Sequence, residues 1–470
     1  MSNALPMPCH DAGPGPGPGD CADPRGTLIA TVIGSSLVFV VGSIVNVALP
    51  QMQASFAAGA TGAQWIVNAY LLPLGALVLI GGALGDHYGR RRVFVAGLAL
   101  FALSCLLCAA AWSFPVFLAG RVLEGVAAAM IAPTSLAILS DAFTGKARGA
   151  AIGTWAGAGA AAGALAPVAG GVIVDAAGWR WAFVAVVPPT AAALWVAMRS
   201  VRESRAARGA RAPLDWAGAA LAATGLSAAI WGLVALPERG ATAVVLGALA
   251  AGIAVLAAFL WWEGRRGDDA MTPLGLFADR AFSGLSLFTF LLYAALGGLL
   301  LLLPYVLIRE AGYSATAAGA ALLPFPLTIG VLSRYAGGTL VDRFGARTLL
   351  TVGGALVAGG FALFGTVPSE GLDYWTDLLP ALMVLAAGMG LAVAPLTGAV
   401  LAAAGEDRAG VASGVNNAIS RVGGLVATAL LGLVLLGSPD DLLAGFAVAS
   451  WAGAALAAAS AGIAWAMVRG

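Results

Sequence analysis

Charged residues are scarce in this sequence, and their scarcity argues against a soluble protein. Asp, Glu, Lys and Arg make up 10% of its 470 residues, whereas soluble globular domains carry about 25%. Hydrophobic residues make up 60% of the chain, and its mean hydropathy is +0.92. So little polar material cannot cover the surface of soluble domains of this total length. We therefore expect an all-α integral membrane protein surrounded by lipid.

Histidine and cysteine are nearly absent as well. The two histidines, His10 and His87, are too few for a haem or metal site built from several histidines. The four cysteines give no disulfide framework. Cys105 and Cys108 form a CxxC inside an apolar helix pattern, which favours small packing residues over redox or metal chemistry. A net charge of +1 argues against a nucleic-acid partner. We expect no metal, no cofactor and no nucleic acid.

Apolar runs long enough to cross a bilayer recur along the chain. A spanning helix needs about 20 mostly apolar residues. Fourteen such runs lie near 28–50, 62–84, 93–111, 115–140, 149–174, 181–199, 214–235, 242–262, 281–306, 315–340, 348–367, 377–404, 410–436 and 442–468. The segment 1–27 before them is rich in Pro and Gly and lacks the apolar core of a secretory signal. We expect it to be a disordered cytoplasmic tail.

Basic residues fall mainly on one side of these fourteen spans. An even number of spans puts both termini on the same side. That side then holds eighteen of the 24 Lys and Arg residues, the opposite side holds three, and three lie within spans. The richer side is the cytoplasm by the positive-inside rule. We expect a multi-pass protein of the plasma (inner) membrane with both termini in the cytoplasm.

One loop motif occurs twice. The stretch "GDHYGRRR" begins at Gly85 and "VDRFGART" begins at Val341, so that Asp86 and Asp342 are 256 residues apart. Each copy follows one predicted span and precedes another. Parallel repeats of this kind are typical of transporters that bind substrate between their two halves.

The spacing of the repeat also predicts the domain organisation. A shift of 256 residues moves the first span onto the ninth. We therefore predict an N-terminal six-helix bundle at 28–199 and a C-terminal six-helix bundle at 281–470. A cytoplasmic linker and two extra transmembrane helices, the seventh and eighth, occupy 200–280 between them.

Four stretches carry a resemblance to a known family. They are "GALGDHYGRRR" (82–92), "GRVLEG" (120–125), "GALAPVAGG" (163–171) and "GWRWAFVAVVPP" (178–189). With fourteen spans, this set resembles the major facilitator superfamily, and more narrowly its drug:proton antiporter branch. The resemblance covers nearly the whole chain after the tail.

The resemblance implies a fold and a function. The fold is the major facilitator fold with two extra helices, in a chain that we expect to be monomeric. The function is export of amphiphilic small molecules such as drugs or antibiotics in exchange for protons, by alternating access and with no cofactor besides the proton gradient. Alternatives are export or import of an endogenous metabolite or lipid, and a transport-inactive membrane sensor. We expect no enzyme, because no nucleophile–base pair or cofactor motif lies at membrane depth.

The repeated loop motif is implied to gate the transporter. In this interpretation a carboxylate at the end of a span meets a neighbouring helix N-terminus and an Arg, and the contact breaks as the halves rock. The alternative is a plain positive-inside loop. The residues expected to gate are Asp86, Gly89, Arg90, Asp342, Arg343 and Arg347.

Span 5 is expected to contribute to gating as a bent, closely packed helix. Gly163 and Gly170 allow close helix packing, and Pro167 frees a backbone carbonyl and kinks the helix. Generic small-residue packing is the alternative. Ala166 departs from the family pattern, which usually has Gly before the Pro.

Glu124 is the only carboxylate deep within a predicted span. Span 4 starts near Pro115 on the outer side, so Glu124 lies about 14 Å in, near the bilayer midplane. Arg121 precedes it by three residues on the same helix face. A carboxylate that moves between dry and wet surroundings binds and releases a proton. We predict that Glu124 carries the proton and that Arg121 tunes it. The alternative is a permanent ion pair that neutralises two charges.

The family pattern places its acid elsewhere. The branch usually has an acid in span 1, where this chain has Val41, and a Gln where Glu124 stands. We infer that the carboxylate has moved to span 4. The loss of the span 1 acid keeps the transport-inactive sensor open.

Seven polar or aromatic residues within spans are candidates for the substrate cavity. They are Asn46, Trp65, Tyr70, Arg334, Asn416, Asn417 and Arg421. Packing and interhelical hydrogen bonds are the alternative for such residues. If the arginines in spans face the cavity, a neutral, zwitterionic or weakly acidic amphiphile is favoured over a strongly cationic drug.

Overall fold

The computed structural model describes residues 23–205, 214–267, 270–368, 372–405, 408–437 and 442–468, and all regular secondary structure in these ranges is helical. The first eight helices are α1 (Pro24–Phe56), α2 (Ala60–Tyr88), α3 (Arg90–Ala110), α4 (Phe114–Ala142), α5 (Gly145–Ala177), α6 (Trp179–Ser200), α7 (Trp216–Arg239) and α8 (Ala243–Arg266). The others are α9 (Arg280–Arg309), α10 (Ala315–Ala321), α11 (Pro324–Tyr335), α12 (Val341–Phe364), α13 (Leu379–Ala404), α14 (Ala409–Gly437) and α15 (Leu442–Met467).

The first helix begins before its predicted boundary. Asp23 accepts a hydrogen bond from the backbone N–H of Gly26, and Pro24 occupies the first helical position, so α1 begins at residue 24 rather than 28. The N–H of Gly26 also holds the pKa of Asp23 below its ordinary value. The predicted tail as far as residue 22 lies outside the described residues.

Asp215 caps the N-terminus of α7 in the same way. Its carboxylate accepts from the N–H of Gly218 at 2.7 Å and from the Trp262 indole at 3.0 Å, which ties the start of α7 to the end of α8. Burial pushes the pKa of Asp215 upward, but these donors outweigh burial and hold the pKa below its ordinary value.

Twelve helices among the described residues are long and apolar enough to cross a membrane. One of these is the 50-residue stretch Ala315–Phe364, which includes α10, α11, α12 and a π-helical turn at Ala336–Leu340. The helix α14, with 29 residues, is not among the twelve. The number of fourteen spans therefore stays a prediction.

The two copies of the loop motif share a backbone conformation. Gly89 has φ 114° between α2 and α3, and Gly345 has φ 76° near the start of α12. Side chains disfavour both conformations, because they lie at positive φ. The repeat seen in the sequence thus extends to the backbone turn.

Helix packing repeats in the same way. In the first half α1 packs on α5 and α6, α2 packs on α4, and α3 packs on α4 and α6. In the second half α9 packs on α14 and α15, α11 packs on α13, and α12 packs on α13 and α15. The helices α7 and α8 pack on each other, and α7 also contacts α2 and α14.

The two halves meet along two seams that the repeat relates to each other. One seam joins α5 to α10, and the other joins α2 to α14. We call the end of the molecule at which Asp86 lies the Asp86 end, and the opposite end, at which Asp175 lies, the Asp175 end. These seams position the side chains described next.

Candidate functional site

A buried ion pair lies within the N-terminal bundle. Arg121 and Glu124 stand three residues apart on α4, and their side chains are 1% and 0% exposed. The guanidinium donates to the Glu124 carboxylate. The spacing predicted this contact, and the structure forms it.

Two neighbouring helices hold this pair. On the α2 side, Arg121 Nε donates to the carbonyl oxygen of Ile66 at 3.1 Å, and the guanidinium lies 4.6 Å from the ring centre of Tyr70. On the α3 side, the Cys105 thiol donates to Glu124 at 3.2 Å. Arg121 therefore faces α2 and Glu124 faces α3, and both are sealed from solvent.

Tyr70 and Cys105 have roles here that the sequence did not indicate. The Tyr70 hydroxyl donates to the carbonyl oxygen of Val38 at 2.8 Å, so α1 fixes the ring under the Arg121 guanidinium. Tyr70 is 2% exposed and does not line an open space in this conformation. Cys105 was predicted to be a small packing residue in preference to a redox or metal-binding one, and its thiol also donates a hydrogen bond to Glu124.

The first copy of the loop motif forms an ion-pair cluster. Asp86 accepts from Nε and Nη2 of Arg90 at 3.0 and 2.8 Å, and Arg90 also pairs with Asp141 at the end of α4. All three residues belong to the N-terminal bundle. Asp86 thus meets an Arg, as a latch requires, while its gating role stays a prediction.

Glu203 completes this cluster, although no pattern in the sequence pointed to it. It follows α6 and accepts from the backbone N–H of Arg91 at 3.2 Å, at the start of α3. It also lies 3.6 Å from Nε of Arg92. A side chain at Gly89 would collide with the Glu203 carboxylate, so the glycine allows this approach.

The second copy of the motif has a different environment. Asp342 and Arg343 are exposed, and within the described ranges neither has an ion-pair partner. Arg343 lies 5.2 Å from the ring centre of Phe344, and Arg347 lies 5.4 Å from that of Trp465. Both arginines therefore contact aromatic rings in place of carboxylates.

The α5 helix packs closely on both halves near its Asp175 end. A Cβ atom at Gly170 would lie 2.6 Å from Ile44 on α1, and one at Gly171 would lie 2.5 Å from the carbonyl oxygen of Ala315. One at Gly319 on α10 would collide with the backbone of Pro167. Gly163 is looser, since its Cβ would make ordinary contact with Phe39 at 3.6 Å.

Asp175 closes this seam with hydrogen bonds. Its carboxylate accepts from the backbone N–H groups of Ala315 and Thr316 at 3.0 and 2.8 Å and from the Thr316 hydroxyl at 2.6 Å. A residue of the first half therefore caps a helix of the second half.

The part of α5 nearer the Asp86 end is less closely packed. At Gly149, Gly153 and Gly157, in the part of α5 nearer the Asp86 end, an added Cβ would meet no atom within 4 Å. On α11, Leu327 and Val331 are 61% and 60% exposed. Contact between α5 and the C-terminal bundle is thus concentrated at the Asp175 end.

The seam between α2 and α14 contains buried amides. Gln64 donates to the carbonyl oxygens of Thr428 and Ala429 at 2.8 and 2.9 Å, and the Thr428 hydroxyl donates to Asn68. The amide nitrogen of Asn68 and the amide oxygen of Gln64 are buried without a hydrogen-bond partner. Buried polar groups without partners are costly, so this seam is a place where a second conformation can offer new ones.

The predicted cavity residues divide into several environments. Trp65 packs with apolar side chains of α7 and α14, and Asn416 accepts from the Thr289 hydroxyl at 2.7 Å. Arg334 and Asn417 are exposed. Packing and interhelical bonding thus describe Trp65 and Asn416 in this conformation.

Asn46 and Arg421 are both half-buried. Arg421 lies on α14 with its guanidinium 6.0 Å from the ring centre of Phe39 on α1. Its side chain therefore reaches from the second half to the first. The lining of the cavity by these residues stays a prediction.

A family model described as the Major Facilitator Superfamily matches residues 31–428 of this chain. The chain is 34% identical over 422 residues to the puromycin resistance protein pur8 of Streptomyces alboniger, covering 89% of this chain and 83% of that protein. It is 34% identical over 416 residues to the multidrug resistance protein Stp of Mycobacterium tuberculosis (strain CDC 1551 / Oshkosh), covering 87% and 75%. It is 31% identical over 410 residues to the methylenomycin A resistance protein of Bacillus subtilis (strain 168), covering 87% of each.

Solved structures share this fold at low sequence identity. A D-xylose-proton symporter matches with a TM-score of 0.68 and 17% identity, covering 94% of this chain and 97% of its own. PepTSo, a transporter of the POT family, matches with a TM-score of 0.70 and 14% identity over the same shares. These matches show that the chain shares its all-helical fold with solved transporter structures.

Proposed function

Because the chain belongs to the major facilitator superfamily, we propose that it exports amphiphilic small molecules such as drugs or antibiotics in exchange for protons. The observation that carries this proposal is extended similarity to proteins named for puromycin, multidrug and methylenomycin A resistance. Their names describe resistance to several different compounds, which supports a small-molecule substrate and not a macromolecular one.

Fourteen spans are part of the proposal. A helix of 50 residues would be about 75 Å long, more than twice the roughly 30 Å of a hydrocarbon core. The stretch Ala315–Phe364 contains a non-helical residue at Gly345, which supports two spans there. With α14 as a further span, the total becomes fourteen. The basic loops then support a plasma-membrane protein with both termini in the cytoplasm.

Alternating access is supported by the unequal contact between the halves. Asp175 and the glycine packing around Pro167 join α5 to α10 at the Asp175 end, whereas α5 and α11 are exposed towards the Asp86 end. The basic loops support a cytoplasmic location for the Asp86 end. This arrangement supports a conformation that is closed towards the outside and open to substrate from the cytoplasm.

Glu124 is our proposed proton carrier, and Arg121 is the partner that stabilises its ionised form. The pair is fully buried, so proton exchange requires that rearrangement of α2 or α3 admit water. Because Arg121 touches Tyr70 on α2, and α2 forms a seam with the second half, motion of the halves can reach the pair. We propose a carrier and not an enzyme, working as a monomer without a cofactor.

Flux in proteoliposomes tests this function. The probes are N-dansyl-leucine, its methyl ester and dansylcholine, which share a fluorophore and carry a negative, zero and positive charge. An acidic interior should drive accumulation of at least one probe above protein-free liposomes, and nigericin should abolish it. Absence of pH-driven accumulation for all three would overturn the proposal. Accumulation that nigericin leaves intact would overturn its proton-coupled part.

A further inference from the structure

One positive charge between the halves lacks a carboxylate partner. Arg421 is half-buried on α14, and across the described part of the chain no Asp or Glu lies within ion-pair distance of it. Within the described ranges, Glu124 is the one carboxylate near the middle of a long helix, and it is already paired with Arg121. The centre of the protein therefore carries one net positive charge from this guanidinium.

Such a charge is costly in a low-dielectric interior. A charged side chain at the centre of a bilayer loses most of its hydration. Charges retained at this depth are usually paired or functional, and a guanidinium binds carboxylates through two parallel hydrogen bonds. An incoming anion would supply the partner that the protein does not.

An aromatic ring of the first half lies beside this guanidinium. The ring centre of Phe39 on α1 lies 6.0 Å away, and Phe39 is 41% exposed. Flat apolar surfaces beside one fixed polar group are typical of small-molecule sites.

The glycine opposite Arg421 fixes its position. A Cβ atom at Gly75 on α2 would lie 3.3 Å from Cβ of Arg421. Close approach of α14 to α2 thus directs a long side chain from the second half towards α1. A site built from both halves is also one that alternating access would change.

We propose that Arg421 binds the anionic group of an amphiphilic substrate, while Phe39 contacts its apolar body. This inference rests on the proposed export function and names its substrate class as organic anions.

Equilibrium binding to the full-length protein in lipid nanodiscs tests the inference. The readout is dansyl fluorescence with N-dansyl-leucine, its methyl ester and dansylcholine. The wild-type protein should bind the acid at least about tenfold more tightly than the ester, which corresponds to about 1.4 kcal/mol. In Arg421→Gln this preference should vanish while the affinity for the ester changes less than about twofold, and Arg421→Lys should keep part of it.

The control variant is Arg309→Gln, which removes an exposed Arg at the end of α9 and should leave the preference intact. Unchanged binding of the ester also reports that the Arg421 variant is folded. Equal or undetectable binding of the three probes by the wild-type protein, or a preference for the acid that survives Arg421→Gln, would overturn the inference. Proton-driven flux of the ester or dansylcholine would then still support export, so the two failures are distinguishable.

Discussion

Removal of either member of the buried Arg121–Glu124 pair should destabilise the protein far more than removal of both. The perturbation is a cycle of Arg121→Met, Glu124→Leu and the double variant. Each single variant leaves one charge without its partner where both side chains are at most 1% exposed. The double variant replaces the pair with apolar side chains of similar volume.

The burial and contacts set the magnitude. Loss of one partner from a buried pair costs about 3–5 kcal/mol, whereas hydrophobic replacement of the whole pair is often neutral or stabilising. Glu124→Leu also removes the acceptor of the Cys105 thiol, and Arg121→Met leaves the Ile66 carbonyl without this donor. We expect the summed loss of unfolding free energy in the two single variants to exceed the loss in the double variant by at least about 3 kcal/mol.

Reversible unfolding by SDS in mixed micelles, followed by tryptophan fluorescence, measures these free energies. The matched control is Arg309→Met with Glu310→Leu, two exposed charges at the end of α9. Exposed charges interact by about 1 kcal/mol or less, so this cycle should be nearly additive. Additive effects of about 0.5 kcal/mol or less at Arg121 and Glu124 would refute a buried, mutually dependent pair.

Three further predictions concern the seams and the caps. Asp175→Ala removes three hydrogen bonds to α10. The fraction of molecules that are open at the Asp175 end should rise about tenfold or more, as measured by the distribution of spin-label distances across that end. An unchanged distribution would contradict the role of Asp175 in closing this end. Gly319→Val should block closure by collision with Pro167 and abolish flux, whereas Gly157→Val, where added atoms meet open space, should keep it; equal flux would contradict the close packing. Asp215→Ala removes the side chain that caps the N-terminus of α7 and should lower the free energy of unfolding by about 1–2 kcal/mol. The pKa of Asp215 is depressed in the folded state, so its ionised carboxylate stabilises the protein at neutral pH, and the effect of the substitution should shrink as the pH falls through that pKa. An unfolding free energy equal to that of the wild type at neutral pH would contradict this role.

Helices and one site contact could be predicted from the sequence because both depend on local spacing. Runs of apolar residues determine where helices form in lipid, and a three-residue separation on α4 brings Arg121 and Glu124 together. The repeated motif also recurs in the backbone, because Gly89 and Gly345 both have positive φ angles.

The rest of the site depends on contacts between residues distant in the chain. Cys105 reaches Glu124 from another helix, and Asp175 caps residues 140 positions later. Glu203 lies in a polar linker that carries no periodic signal. A single sequence contains no information on which distant helices become neighbours, so these three roles required the structure.

Neutralisation of Glu124 in the transport assay tests the proton-carrier role most directly. In Glu124→Gln proteoliposomes, exchange of labelled for unlabelled probe at equal pH should continue, because substrate binding and alternation do not require the carboxylate charge. Accumulation driven by an acidic interior should be lost, while Glu310→Gln, an exposed control, should accumulate the probe as the wild type does. Full pH-driven accumulation by Glu124→Gln would contradict the account, and Glu124 would then only neutralise Arg121.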